Sequence, residues 1–449
     1  APITINDNAA ASLYPSVATV SGVNQSITRV RVQLNNFTHT FPDDVDVILE
    51  GPQGQKAIVM SDAGGGGDVS NLQLTFDSVA PLSAILPDEG VTTAGTFRAV
   101  NYGNGAGIFT DTFPAPFPAP NTLTEAPADL SVFHQTDPNG QWKLYVVDDA
   151  GQDSGSISGG WTLFVTVPAI FTVNSTNDPG NGVCDASECT LREAITSAIN
   201  ATGNSDQISF DPSFNSPKTI ELLTPLPDIT ESMAIAGPGA NLLTVRRSLT
   251  AATNFRIFTI VGGIANGVAI SGMHLTGGRA TGDFGGGIYS QSKLALNNLY
   301  VAGNSGADGG AVSLVFSDGV FAGCTFSNNI VTGNGGGINY YGDGGNTLRI
   351  VNSTISGNDA GSGGGGILNL SGGGNSRLEV TNSTITNNSS ILNGGGIFTA
   401  ASVAGANSTT TLRNSIVALN SGNNLGTQAE ASSTATFQTL GFSLSDNYN

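Results

Sequence analysis

Residues 352–358 read NSTISGN and residues 382–388 read NSTITNN, the same pattern 30 positions apart. Outward in both directions it recurs as NNLYVAGN (297–304), GCTFSNN (323–329) and NSIVALN (414–420). Each copy carries one apolar residue at a fixed place, namely Val301, Phe326, Ile355, Ile385 and Val417, spaced 25, 29, 30 and 32 apart. Three positions later comes an asparagine every time: Asn304, Asn329, Asn358, Asn388 and Asn420. A second series interleaves with the first, ending at Ile288, Val312, Ile338, Ile367 and Ile397 behind GGG or GGA. Leu275 in GMHLTGG starts the first series one turn earlier.

Repeats of this length, built from short β-runs and glycine corners, predict a parallel β-helix in which each coil buries the same residue against the next. Propeller blades need about 40 residues or more, which these spacings do not reach. Asparagine at a constant corner fits, because its amide bonds along a stack and it tolerates left-handed backbone. Glycine clusters mark corners that need positive φ or close backbone approach. Asn-x-Ser/Thr triplets at Asn24, Asn36, Asn174, Asn352 and Asn382 permit glycosylation, but in so Asn-rich a chain they read mostly as coincidence.

One stretch departs from this pattern. CDASECTLREAITSAIN (184–200) reads as an amphipathic helix over about 190–201. Thr190 and Glu193 have capping-box spacing, and Leu191, Ala194, Ile195, Ala198 and Ile199 make one apolar stripe. Gly203 lies just past the expected stop. A β-helix leaves unpaired edges at its ends, so this helix is expected to cap the first coil. Cys184 and Cys189 are expected to pair and pin its entry.

Residues 1–167 form a different region, with 17 Asp/Glu against 5 Lys/Arg and both tryptophans. Alternating runs such as ITRVRVQL, VDVILEGP and WTLFVTV, separated by Gly/Asp/Pro turns, predict an antiparallel sandwich. The expected fold is therefore all-β, a jelly-roll-like β-sandwich over 1–167 followed by a right-handed parallel β-helix over 170–449.

The formal net charge of −19 argues against nucleic acid and anionic membrane surfaces as partners. No apolar run approaches the ~20 residues of a membrane span. Three cysteines, two of them close together, fit an oxidising and hence extracellular setting. The N-terminal APITIND reads as a mature terminus or a boundary.

Two resemblances attach to these residues. CTLREAI within GNGVCDASECTLREAITSAIN resembles the motif that opens the CSLREA family of bacterial surface β-helices, with Thr190 where serine is usual. RNSIVALNSGNN and FQTLGFSLSDN are similar to the choice-of-anchor Q region found at the end of such proteins. Together they cover about 171–449 and imply a pectin-lyase-like fold, export and surface display, without implying catalysis. The first region resembles a P-domain, the β-sandwich that follows the catalytic domain in proprotein convertases. The resemblance is carried by DVDVILEGPQG and by LSVFHQTDPNGQWKLYVVDDAGQDSGSISGGWTLFV. That family often binds calcium through acidic loops. The matching candidates are Asp43, Asp44, Asp46, Asp62, Asp68, Asp148, Asp149 and Asp153, since calcium takes six to eight oxygens. Asp also favours turns without any ligand.

A glycosidase would need two carboxyl groups roughly 5–10 Å apart on neighbouring coils. From Leu275 onward the acids are few and scattered: Asp283, Asp308, Asp318, Asp343, Asp359, Glu379, Glu430 and Asp446. Arg279, Lys293, Arg349 and Arg377 are equally dispersed. The expectation is a secreted, non-catalytic structural or adhesive protein that self-associates or binds cell-surface glycans or proteins. The alternatives are a β-helix polysaccharide lyase or glycosidase, and a glycan-binding module. A carboxylate-lined groove would favour the enzyme, and a flat Ser/Thr/Asn face would favour the structural reading.

Overall fold

The computed structural model describes all residues except 92, 103–110, 119–121, 124–127, 202–204, 442 and 446–449. The described residues are all-β apart from one α-helix and three short 3-10 turns, and the chain divides into two compact units, Ala1–Pro168 and Ala169–Asn449.

The first unit is a sandwich of a six-stranded and a four-stranded sheet. The strand Arg29–His39 organises the larger sheet, pairing antiparallel with Val69–Asp77, Trp161–Thr166 and Gly155–Ile157. Gly140–Asp148 lies between Ser16–Val20 and Val45–Glu50 in the smaller one. Period-2 alternation sends Val30, Val32, Leu34, Val47, Leu49, Leu144 and Val146 into one core. Trp142 is fully buried there and donates its indole N–H to the Pro138 carbonyl at 2.9 Å. Gly155 faces His39 so closely that any Cβ would strike the Thr38 carbonyl.

The second unit is a parallel β-helix. Its coils build one face of ten strands from Ile170–Val173 to Thr434–Leu440, a second of nine, a third of seven and a short fourth of five. On the second face Leu275, Val301, Phe326, Ile355, Ile385 and Val417 pair in register, each 0% exposed. On the third, Ile288, Val312, Ile338, Ile367 and Ile397 do the same. The glycines ahead of this column, Gly285, Gly309, Gly335, Gly364 and Gly394, sit at φ between +61° and +68°. The next residue in each coil packs against the following coil, and a Cβ on Gly365 would run into the Ser389 carbonyl. Only glycine fits there.

The corner asparagines form a buried ladder. The side-chain Nδ2 of Asn304 donates to Oδ1 of Asn329 at 3.1 Å, and Asn329 to Asn358, Asn358 to Asn388 and Asn388 to Asn420 at 2.8–2.9 Å. Each Oδ1 also accepts the backbone N–H of the preceding Asn. Asn424 ends the series by accepting from Asn420.

A second polar ladder runs beneath the Asn-Ser-Thr triplets. Asn352, Asn382 and Asn414 take left-handed backbone at φ +47° to +51°. The serine that follows points inward, so that Ser353, Ser383 and Ser415 are buried and each Oγ accepts the N–H of the coil before it. Cys324, buried and unoxidised, occupies the same column. Burial raises its thiol pKa to about 11, so it behaves as a small apolar side chain.

The helix α1 (Leu191–Asn200) has the full capping box between Thr190 and Glu193. Leu191, Ala194, Ile195 and Ala198 are buried in the β-helix core alongside Val173 and Ile208 of the first strands. Gly203 lies outside the described residues. Arg192 ties the helix down through Asp178 and the Thr224 carbonyl, and Cys184–Cys189 closes the loop ahead of it.

Two substitutions should shift the urea midpoint in opposite directions. Asn358→Ala strips the acceptor from both the N–H and the Nδ2 of Asn329 and should cost about 3 kcal/mol. Leu419 stands in the left-handed column otherwise held by glycine and asparagine, at φ +58°, so Leu419→Gly should stabilise by about 1 kcal/mol.

Candidate functional site

The acidic candidates of the sandwich separate into those that meet and those that do not. Asp43 and Asp44 lie in the 3-10 turn Pro42–Asp44. Asp148 ends the strand Gly140–Asp148, and Asp149 and Asp153 follow in the next loop. This brings Asp44 under the field of Asp148, Asp149, Asp153 and Asp43. Asp43 in turn feels Asp62, Asp88 and Glu89. Asp46 is instead buried within its strand, opposite Val147. Asp68 is exposed, just before the strand Val69–Asp77.

Desolvation, reinforced by the neighbouring carboxylates, pushes Asp44 up to about 6, and it raises Asp43 and Asp149 as well. Asp148 is fully buried and already occupied. One oxygen accepts the N–H groups of Asn8 and Ala150, while the other lies 3.2 Å from Nε2 of the equally buried His39. The Asp153 carboxylate accepts the Thr40 hydroxyl at 2.8 Å. Among the described residues, no three His, Cys, Asp or Glu side chains converge closely enough to hold a metal ion as they stand. His39, Asp88 and Glu89 belong to this neighbourhood although the spacing of the aspartates gave no hint of them. His39 comes in only because its strand ends beside Asp148.

Of the eight acids from Leu275 onward, six are tied to a local partner. Asp283 pairs with Arg256, Glu379 with Arg349, and Asp359 accepts the Ser389 hydroxyl. Asp308, Asp318 and Asp343 accept backbone N–H groups of Asn334, Thr347 and Gly344. Glu430 sits in an exposed turn near the last coil, and Asp446 lies outside the described residues. A groove of about 300 Å³ crosses the ten-stranded face, floored by Ala234, Ala269, Ala295 and Val320. Its one acid is Asp318, already held by Thr347.

The nine-stranded face is built from three-residue strands over its middle coils. Positions flanking the core column on consecutive coils are Thr325 and Ser327, Thr354 and Ser356, then Thr384 and Thr386, with Ser327 buried and donating to the Tyr300 hydroxyl. Tyr300 and Ala302 precede them, and Ile416 and Ala418 follow. These five coils present no charge on this face, in a chain whose net charge is −19.

The sign of the acidic effect is testable. The folded pKa of Asp44, about 6, exceeds the unfolded value of about 3.9, so folding is penalised above pH 6 and the penalty fades as pH falls toward 4. Asp44→Asn should raise the sandwich melting temperature at pH 7.5 and leave it unchanged at pH 4, as read by calorimetry.

No protein-family model matches the chain, and no curated protein matches it. Among solved structures, the catalytic unit of a thermostable GH87 α-1,3-glucanase from Streptomyces thermodiastaticus strain HF3-3 aligns with 97% of this chain and 89% of its own, at 13% identity and a TM-score of 0.23. The Agl-KA catalytic domain aligns with 98% and 91%, at 11% identity and a TM-score of 0.22. Superposition this poor carries no argument about activity.

Proposed function

We propose that this protein is an extracellular structural or adhesive component, with the β-helix as its scaffold and self-association or surface glycans and proteins as its partnerships. The observation that carries the reading is the uncharged Thr/Ser face over Thr325–Thr386, set beside carboxylates that are spent on structural partners. A hydrolase of glycosidic bonds needs two free carboxyl groups facing one another, and a face of Thr and Ser has none to offer. The Cys184–Cys189 disulfide supports an oxidising setting. No described helix is long and apolar enough to cross a membrane.

Self-association is supported by the last strand of the ten-stranded face, Thr434–Leu440. It pairs with Asn407–Arg413 on one side and with no described strand on the other. Such an edge offers a row of backbone groups to another chain, and a head-to-tail contact made through it does not close on itself. Calcium belongs to the same proposal. Asp44, Asp149 and Asp153 are the donors it would draw together, relieving the repulsion that adds to burial in raising Asp44.

Size-exclusion chromatography with negative-stain imaging, across protein concentration and with or without calcium, tests the reading. Concentration-dependent assemblies are expected, together with no reducing ends or unsaturated products from acidic or neutral polysaccharides. Monodisperse monomers under every condition would overturn self-association, and release of such products would overturn the non-catalytic reading.

A further inference from the structure

The outer surface of the six-stranded sheet of the sandwich holds a concavity of about 350 Å³, lined by Arg31, Gln33, Gln73, Thr75, Thr96 and Phe164 among others. Strand register assembles it. One row runs Phe164, Arg31 and Asp77 across three strands, and the next runs Thr162, Gln33, Thr75 and Thr96 across four.

Arg31 is the unusual member. Of the five basic residues in this acidic unit, Arg29 is paired with Asp77, Lys143 with Glu50, Arg98 donates to the Ala80 carbonyl, and Lys56 lies over Phe117. Arg31 makes no ion pair among the described residues. Its buried Nε has no hydrogen-bond partner. The carboxylate directly across the strand, Asp77, is taken up by Arg29 and by the N–H of Val79. The guanidinium is held instead by stacking, 4.7 Å above the centroid of the Phe164 ring.

A guanidinium fixed against a ring, lining the concavity and in no ion pair among the described residues, presents the planar fork that carboxylates bind. Around it stand amides and hydroxyls, with Gln33 already donating to Thr75 at 3.1 Å and Gln73 and Thr96 exposed. We propose that this concavity binds an acidic polysaccharide, with a uronic acid carboxylate on Arg31 and the sugar hydroxyls on Gln33, Gln73 and Thr96. A single cation among neutral hydrogen-bonding groups suits a chain that alternates carboxylate with hydroxyls. A run of acidic peptide would call for several cations. The site stands whether or not the chain assembles.

Titration calorimetry of the full chain with oligogalacturonate tests it, beside a neutral cello-oligosaccharide of equal length and a Glu-rich peptide. Binding is expected for oligogalacturonate alone, carried by the local contact with Arg31 against the net negative charge of the unit. Arg31→Gln should lower the affinity about tenfold or more, with an unchanged melting temperature. Thr96→Glu, at an exposed position, should abolish binding by repulsion and serves if Arg31→Gln fails to fold. Arg349→Gln in the β-helix should change nothing. Absence of binding to oligogalacturonate at millimolar concentration overturns the proposal, as does an unchanged affinity in both site variants. Equal binding of the peptide or of the neutral sugar overturns the assignment to uronic acids.

Discussion

Each coil of the β-helix has to offer the next one the same buried partner at the same place. The carboxamide of Asn358 shows what this demands. It accepts the N–H and the side-chain amide of Asn329 on one side and donates to Asn388 on the other. A side chain that must both receive and give along one axis, with no water to substitute, leaves asparagine as the residue of choice. The glycine column obeys the same rule through positive φ and close packing, and the Ser353–Ser383–Ser415 column through a single hydroxyl. Stability is thus spread along columns that run across coils, as nearest-neighbour coupling in repeat proteins requires.

That constraint makes much of the architecture readable. A column that must repeat leaves a period, so Val301 to Val417 and Asn304 to Asn420 stand out from the amino-acid order alone. The cap is readable for a local reason, since Thr190 and Glu193 satisfy one another within a single turn. Whatever depends on partners far apart in sequence stays hidden. The Asn-Ser-Thr triplets at Asn352 and Asn382 look like glycosylation signals, yet they encode a left-handed corner, an inward hydroxyl and an outward threonine. Asn424 closes the ladder from within the last coil, outside the repeat.

The sandwich is less legible, because antiparallel sheets place distant residues side by side. The acidic run Asp43–Asp46 reads as one cluster, but strand alternation sends Asp46 away from the loop that holds Asp44. His39 and Arg31 carry no motif. Their significance lies in a buried contact with Asp148 and in a ring contributed by Phe164, 133 residues further along the chain. The two units also use charge differently. The sandwich gathers carboxylates in partly buried loops, where they also repel one another, whereas the β-helix pairs Asp283 and Glu379 with arginines and keeps charge off its nine-stranded face over the five coils from Tyr300 to Ala418.

Engineered cross-links probe the stack most directly. Thr354 and Thr384 are register partners on adjacent coils, both facing outward, so their Cα atoms lie about 4.8 Å apart, within reach of a disulfide. Thr354 and Ile416 are two coils apart, or about 10 Å. Oxidation should close the Thr354→Cys/Thr384→Cys pair quantitatively and leave the Thr354→Cys/Ile416→Cys pair open. Equal closure of both pairs, or closure of the second alone, would contradict the stacked arrangement on which the fold and the functional proposal rest.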